Sequence, residues 1–379
     1  MKRPDIQLGE VCEFLYGESL KEEKRRPGKV PVFGSNGVVG RHDHAITAGP
    51  TIIIGRKGSI GEVNWSSGPC FPIDTTYYVK NTKKPCDLRW LFFTLLKLDL
   101  TRLNKSAAVP GLNREDAYEQ LIPFPELFEQ QRITARLERV ERLQRTRRYA
   151  LELSATILPA AFRELFGSPT TATERFPSTE LGEVTNFIDY RGIAPNKTAN
   201  GVRLVTARNI KRGYFEIEPQ EFIPAQEYAS WMTRGMPRPG DVLFTTEGHT
   251  LGSAAKLPSF NKVALAQRLI ALQPKAQITS DYLLYVILHS SFQDRVVKHS
   301  TGSAARGISS KNLADLPIPL PPLSLQQKFS DLVRRVEHLR SLQQESSRQA
   351  EHLFQTFLHN AFVGEPTDSD HAYIARPLD

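Results

Sequence analysis

Cysteine is scarce in this chain of 379 residues: Cys12, Cys70 and Cys86 show no Cys-x-x-Cys spacing and leave an odd thiol, which excludes a disulfide framework and a zinc module of the usual spacing. Long hydrophobic runs are missing as well. The N-terminal MKRPDIQLGEVCEFL lacks the apolar core of a secretory signal, and no stretch approaches the ~20 apolar residues of a membrane span. A soluble, cytoplasmic protein with no membrane partner is therefore expected.

Catalytic and nucleotide motifs are equally wanting. Gly34-x-x-Gly37-x-x-Gly40 and Gly55-x-x-Gly58-x-x-Gly61 have neither the dinucleotide-binding spacing nor the Gly-Lys-Ser/Thr ending of a phosphate-binding loop. No Asn/Asp-Pro-Pro-Tyr/Phe tetrapeptide is present to hold a flipped base for amino methylation. Pro4-Asp5 with Glu10 lacks the Glu-x-Lys of a metal-dependent nuclease of that type. His42, Asp43 and His44 have no third ligand fixed by spacing, so no metal site is expected. His249, next to Thr245, Thr246 and Glu247, reads as a polar loop residue and not as a general base. A non-enzyme is expected.

What the sequence does have is a modest cationic excess and a long internal repeat. Lys plus Arg number 49 against 41 Asp plus Glu, a net charge of +8, which fits a nucleic-acid partner where the charge is clustered and fits a plain solvated surface equally well. From Leu121 the chain reads LIPFPELFEQQRITARLERVERL, and from Pro317 it reads PIPLPPLSLQQKFSDLVRRVEHL. Pro123, Pro125, Gln130, Gln131, Val140 and Leu143 meet Pro319, Pro321, Gln326, Gln327, Val336 and Leu339 at a constant offset of 196. In each copy prolines stop an extended run and a long helix follows. The repeat reaches further: Leu8-Gly-Glu-Val11 answers Leu181-Gly-Glu-Val184 at offset 173, so the second unit carries about 23 additional residues before its proline segment.

Between these markers the chain reads as short strands joined by tight turns. Thr51–Ile54 is the clearest strand and runs into the loop Gly55-Arg-Lys-Gly58-Ser-Ile-Gly61, which carries two cations. Arg238 to Gly252 parallels it, with Ile52–Ile54 matching Val242–Phe244 and Gly58 matching Gly248. Ser303–Gly307 also answers Ser106–Gly111 within the polar loop Asn104–Arg114. Ile133, Leu137, Val140, Leu143, Ala150, Leu153 and Ile157 form a helical apolar stripe over 129–157. Phe329, Leu332, Val333, Val336, Leu339, Ala350, Leu353, Phe357 and Ala361 form its counterpart. At Ala361-Phe362 the offset from Ala161-Phe162 has become 200, which implies one additional turn within the second helix.

The expected fold is α+β: two mixed α/β modules joined and spaced by two long antiparallel coiled-coil helices, with pseudo-twofold symmetry. The boundaries are 1–128 and 181–323 for the modules, 129–167 and 324–364 for the helices, 168–180 for a linker and 365–379 for a disordered tail. This order of module, proline segment, Glu-Gln-Gln-Arg and helix, then the same again, resembles the specificity subunit of type I restriction-modification systems. The resemblance rests on PxxGSNGVVG, IIIGRKGSIGEV, GLNREDAYEQLIPFP and EQQRI in the first half. In the second half it rests on RPGDVLFT, GISSKNLADLPIPLPP and AFVGE, and Leu325-Gln-Gln-Lys328 departs from the Glu-Gln-Gln-Arg form.

The resemblance implies a non-catalytic subunit for DNA methylation and phage defence. Its modules would be target recognition domains, each binding half of a split site on double-stranded DNA, and its helices would space them. Two modification (methyltransferase) subunits would dock on the helices, and restriction motor subunits would cleave. S-adenosylmethionine, ATP and Mg are then expected in the partners and no cofactor in this chain. The spacer and docking candidates are Gln130, Gln131, Ile133, Leu137, Val140 and Leu143, with Gln326, Gln327, Phe329, Val333, Val336 and Leu339. By residue type and loop position, Asn36, Arg41, Arg56, Lys57 and Ser59 are the DNA-binding candidates of the first module. Arg208, Lys211, Thr245, Thr246, His249 and Arg268 are those of the second. Other readings are the same architecture in a methylation-only or other defence system, or a coiled-coil scaffold for a non-DNA ligand.

Overall fold

The computed structural model describes residues 4–103, 111–167, 175–190, 194–302 and 306–363. The tail expected at 365–379, the loop residues 104–110 and the linker residues 168–174 lie outside the described residues. Two compact units are present, Met1–Tyr149 with Glu345–Asp379 and Ala150–Gln344.

In the first unit the β-branched pieces between glycines form the strands that their composition predicts. β1 (Asp5–Gln7), α1 (Leu8–Val11), β2 (Leu15–Tyr16), β3 (Val30–Gly34), β4 (Gly37–His42), β5 (Thr51–Gly55), β6 (Val63–Ser66), β7 (Phe71–Pro72) and β8 (Thr76–Val79) follow in order. Antiparallel pairing gives one sheet ordered β2-β8-β5-β6, and a second ordered β4-β3-β7 contains a parallel β3–β7 pair. Every residue of β5 and β8 is buried, so these strands lack the in-out alternation of a half-exposed sheet. The apolar helix α2 (Leu88–Leu98) starts on an Asp87 cap that accepts from the Trp90 N–H at 2.7 Å. After α3 (Arg114–Tyr118), β9 (Leu121–Pro123) pairs with β1 and closes the module.

The predicted stripe becomes α4 (Leu127–Ser154), and Ile133, Leu137 and Val140 pack into the core of the first unit. Residues 345–363 join the same core through Phe354 and Leu358. Gln144 donates to Glu351 at 2.9 Å, while Phe362 reaches Trp90 with ring centroids 6.3 Å apart, so the two helical segments run antiparallel. Leu143 and Leu153 remain exposed. The stripe thus seats the helix both on its own module and against the antiparallel segment 345–363.

A single helix over 129–167 is not what forms. α4 stops at Ser154 and α5 resumes at Ile157–Phe166. Pro159 accounts for the break: its ring clashes with the carbonyl four residues back, at Ala155, and supplies no N–H to it. Ser154 and Thr156 turn their hydroxyls back onto the Leu151 and Leu153 carbonyls at 2.7 and 2.8 Å and stabilise the interruption.

The second unit repeats the first strand for strand. β10 (Ser178–Glu180), α6 (Leu181–Val184), β11 (Thr185–Asp189), β12 (Val202–Val205), β13 (Glu221–Ile223), α7 (Tyr228–Trp231), β14 (Val242–Thr245), β15 (Ala254–Lys256), β16 (Val263–Leu265) and β17 (Leu269–Pro274) give sheets ordered β11-β17-β14-β15 and β13-β12-β16. The parallel pair recurs between β12 and β16. Next come α8 (Ser280–Leu288), α9 (Ser290–Lys298), α10 (Ser310–Ala314) and β18 (Pro317–Pro319), which pairs with β10 as β9 does with β1. α11 (Leu323–Val363) is an unbroken helix of 41 residues, with no proline inside it. Its Phe329, Val333 and Val336 meet Leu158, Phe162 and Phe166 of α5 in the core of this unit. No helix among the described residues is long and apolar enough to cross a membrane.

Candidate nucleic-acid interface

In each unit three loops converge at the ends of equivalent strands. In the first unit they are the β3–β4 turn, the β5–β6 loop and the β7–β8 loop. Ser35 is buried with its hydroxyl 2.5 Å from the Lys57 carbonyl and 2.7 Å from that of Thr75, and the Arg56 N–H donates to the Thr75 carbonyl at 2.9 Å. In the second unit the Thr246 N–H donates to the Arg268 carbonyl at 3.1 Å. The Leu112 N–H donates to the Arg56 carbonyl, and the Ile308 N–H donates to that of Thr246, both at 2.9 Å. Backbone bonding therefore equates Arg56 with Thr246 and Thr75 with Arg268.

The apex of each β5–β6-type loop is a glycine, Gly58 at φ +77° and Gly248 at φ +80°. A Cβ at either would meet nothing within 4 Å. Both positions need the left-handed backbone that glycine adopts without strain, and both leave open space in front of the main chain.

Around the first cluster Asn36 and Lys57 are exposed and Ser59 is half-buried. Arg56 is held by its own module. Its guanidinium donates to the Asp74 carbonyl at 2.7 Å and lies 5.1 Å from the Tyr16 ring centroid and 5.8 Å from that of Tyr77. Arg114 lies over the same exposed Tyr16 ring at 5.6 Å. Burial, with a hydrogen bond donated towards Tyr16, pushes the Tyr77 hydroxyl up to about 12, so it stays protonated across the neutral range. Arg41 is not part of the cluster. It sits on β4 opposite Pro31, away from the turn, and donates to the Lys29 carbonyl at 2.9 Å.

In the second unit Arg208 and Arg268 line one groove with Lys197 and Gln267. Glu221 pairs with Lys197 at 2.7 Å and lies 3.4 Å from Arg208, and Glu247 holds Arg268 at 2.9 Å. His249 is exposed beside the apex glycine. Lys211 belongs to a separate turn closed onto Tyr214 and does not line the groove. Thr245 and Thr246 need correction: they are 0% and 1% exposed, because β14 is covered on both sides, and neither can meet a base from there. The Thr246 hydroxyl donates to the Arg268 carbonyl at 3.2 Å, and that of Thr245 has no partner among the described residues.

Sequence reasoning missed Tyr16, Arg114, Lys197 and Gln267. A lone aromatic on a two-residue strand and single polar residues on loops carry no periodic signal. His42, weighed as a ligand, is buried, with Nδ1 accepting from the Arg26 N–H at 3.0 Å. Among the described residues no three His, Cys, Asp or Glu side chains gather as a metal site.

Residues 4–153 and 175–352 match the family model described as type I restriction modification DNA specificity domain. The chain belongs to this family. It is similar to the type I restriction enzyme MjaVIII specificity subunit of Methanocaldococcus jannaschii, at 21% identity over 92% of this chain and 86% of that protein. It is also similar to the type I restriction enzyme EcoBI specificity subunit of Escherichia coli, at 23% identity over 83% of this chain and 73% of that protein. In fold it resembles the crystal structure of a type I restriction-modification system S subunit from M. genitalium, with a TM-score of 0.63 at 17% identity and 96% of each chain covered. The two matched segments of the family model fall on the two halves of the repeat, so the three-loop cluster occurs once in each specificity domain.

The residues expected on the docking faces divide by burial in this specificity-domain chain. Gln130 and Gln326 are fully buried, and Ile133, Leu137, Val140, Phe329, Val333 and Val336 are core residues. These eight side chains are covered by their own module and by the neighbouring helix, so they offer a partner subunit nothing. Gln131, Leu143, Gln327 and Leu339 stay exposed, and so does Phe128, one turn before Gln131 on α4, at 77% exposure.

Proposed function

We propose that the chain reads a two-part site on double-stranded DNA, one short half-site per three-loop cluster, as the specificity subunit of a type I restriction-modification complex. The observation that supports this most is the duplicated cluster itself. The same strand ends and the same backbone bonds recur, but the side chains differ: exposed Asn36 and Lys57 with half-buried Ser59 in one, and exposed Lys197, Arg208, His249 and Arg268 with half-buried Gln267 in the other. A common scaffold carrying unlike polar edges suits two unlike half-sites, because base edges are told apart by donor and acceptor patterns. The bare apex glycines leave room for phosphates to approach the main chain, the Gly248 N–H itself being donated to the Arg306 carbonyl at 2.9 Å.

Methyl transfer and cleavage belong, in this reading, to partners. Two methyltransferase subunits would dock on the exposed helix face around Phe128, Gln131 and Leu143 and around Gln327 and Leu339. Motor subunits would join them, and S-adenosylmethionine, ATP and Mg would be held by those chains. The test is charge reversal in the assembled complex. Lys57→Glu and Arg268→Glu should each weaken binding about tenfold and lower the slope of log K against log salt by about one. Arg41→Glu and Lys211→Glu should do less. Equal losses from all four, or none from the first two, would contradict the assignment of the clusters.

A further inference from the structure

Gln130 and Gln326 hold the same buried position in the two units, and two amide contacts are common to both. The Gln130 Oε1 accepts from the Asp87 N–H at 2.9 Å and its Nε2 donates to the Pro125 carbonyl at 2.8 Å. The Gln326 Oε1 accepts from the Thr279 N–H at 2.9 Å and its Nε2 donates to the Pro321 carbonyl at 2.9 Å. Asp87 and Thr279 are the caps of α2 and α8, the apolar helices of the two modules. One side chain thus ties the root of a long helix both to the proline segment before it and to the start of the module's own helix.

Two more ties lie on the same helix face. Four residues on, the Thr134 hydroxyl donates to Asp87 at 3.0 Å, and Ser330 lies 3.3 Å from the Thr279 hydroxyl. Eleven residues on, Glu141 pairs with Arg89 of α2, and Glu337 lies 3.5 Å from Lys256 of β15. Steps of 4 and 11 residues return to within about 40° and 20° of the starting direction, over a length of about 16 Å. The acid is placed alike in both units, but its cation comes from a helix in one and from a strand in the other. The two glutamine ties recur in both, and the Gln326 Nε2 adds a third, to the Gln277 carbonyl at 3.1 Å.

We propose that Gln130 and Gln326 are positioning residues that fix the direction in which each long helix leaves its module, and through it the gap at which the two half-sites are read. This rests on the DNA-reading proposal above. Apolar packing of Ile133, Leu137 and Val140 is non-directional and tolerates small rotations, whereas hydrogen bonds from both ends of a planar buried amide do not. Small rotations matter. A turn of about 10° on an arm of about 20 Å moves its tip by about 3.5 Å, close to the 3.4 Å step between base pairs.

The experiment uses the assembled complex and duplexes carrying both half-sites at the native gap, or with one base pair added or removed. Wild-type chain should prefer the native gap at least tenfold. Gln130→Met and Gln326→Met should cut that preference to under threefold and leave affinity for a duplex with a single half-site within twofold. Gln130→Asn, which stays neutral but is one methylene too short to reach both the Asp87 N–H and the Pro125 carbonyl, serves if the methionine variants fail to fold. Val79→Ala loosens the same core away from these ties and should keep the wild-type preference. Retention of full gap preference in the glutamine variants, or equal loss in Val79→Ala, would overturn the inference. A wild-type complex that binds no two-part site would instead overturn the DNA-reading proposal, and this inference with it.

Discussion

Thr245 illustrates how far a residue's type can mislead about its place. A polar residue at the end of an apolar run, followed by Thr246, Glu247 and a glycine, looks like the start of a loop, yet all four residues of β14 are buried. Its unpartnered hydroxyl predicts that Thr245→Val, nearly the same in shape and well suited to a strand, is neutral or stabilising by about 1 kcal/mol. A urea titration checks this, and DNA affinity should not change. A loss of affinity without a loss of stability would return Thr245 to the interface. The repeated glutamines carried a similar ambiguity. The constant offset of 196 marked Gln130 and Gln326 as equivalent, but a one-dimensional repeat does not say which face is inward. Only the folded chain separates buried Gln130 from exposed Gln131.

The elements themselves were largely legible. Short β-branched runs between glycines became strands, the proline segments ended them, and a helix followed each. Adjacent strands are near in sequence and their turns are coded locally, which is why this level reads well. The helix partner read correctly in part. The apolar stripe predicts two helices packed on each other, and they do meet. Phe162 and Phe166 lie on Phe329, and Ile133, Leu137 and Val140 share one core with Phe354 and Leu358, but the same side chains also pack into the modules. An apolar stripe specifies that a face is covered, not by what. Pro159 was visible, and its ring clash with the Ala155 carbonyl accounts for the interruption that α11 lacks. If the exposed middles of the long helices set the gap, removing the matched heptads 143–149 and 339–345 should shorten each by about 10 Å, about three base pairs, with little change of facing. Half-site selection on the deletion variant should return the same half-sites with a smaller gap. Altered half-sites at an unchanged gap would refute the spacer role.

For the whole molecule, the decisive feature is repetition with divergence. Two units share sheet order, loop bonding, helix caps and buried glutamines, and they differ in exposed polar residues and in the ion pairs that hold the long helices. The repeat was legible from the sequence because scaffold positions kept their residue types. The readers were legible only as loops, since their side chains are where the two halves diverge. Selection of the assembled complex against a pool of random duplexes tests the central claim most directly. The account predicts two short, unlike blocks of fixed bases separated by a constant unspecified gap, with binding that falls steeply as salt rises. One contiguous block, or no enrichment at all, would contradict it.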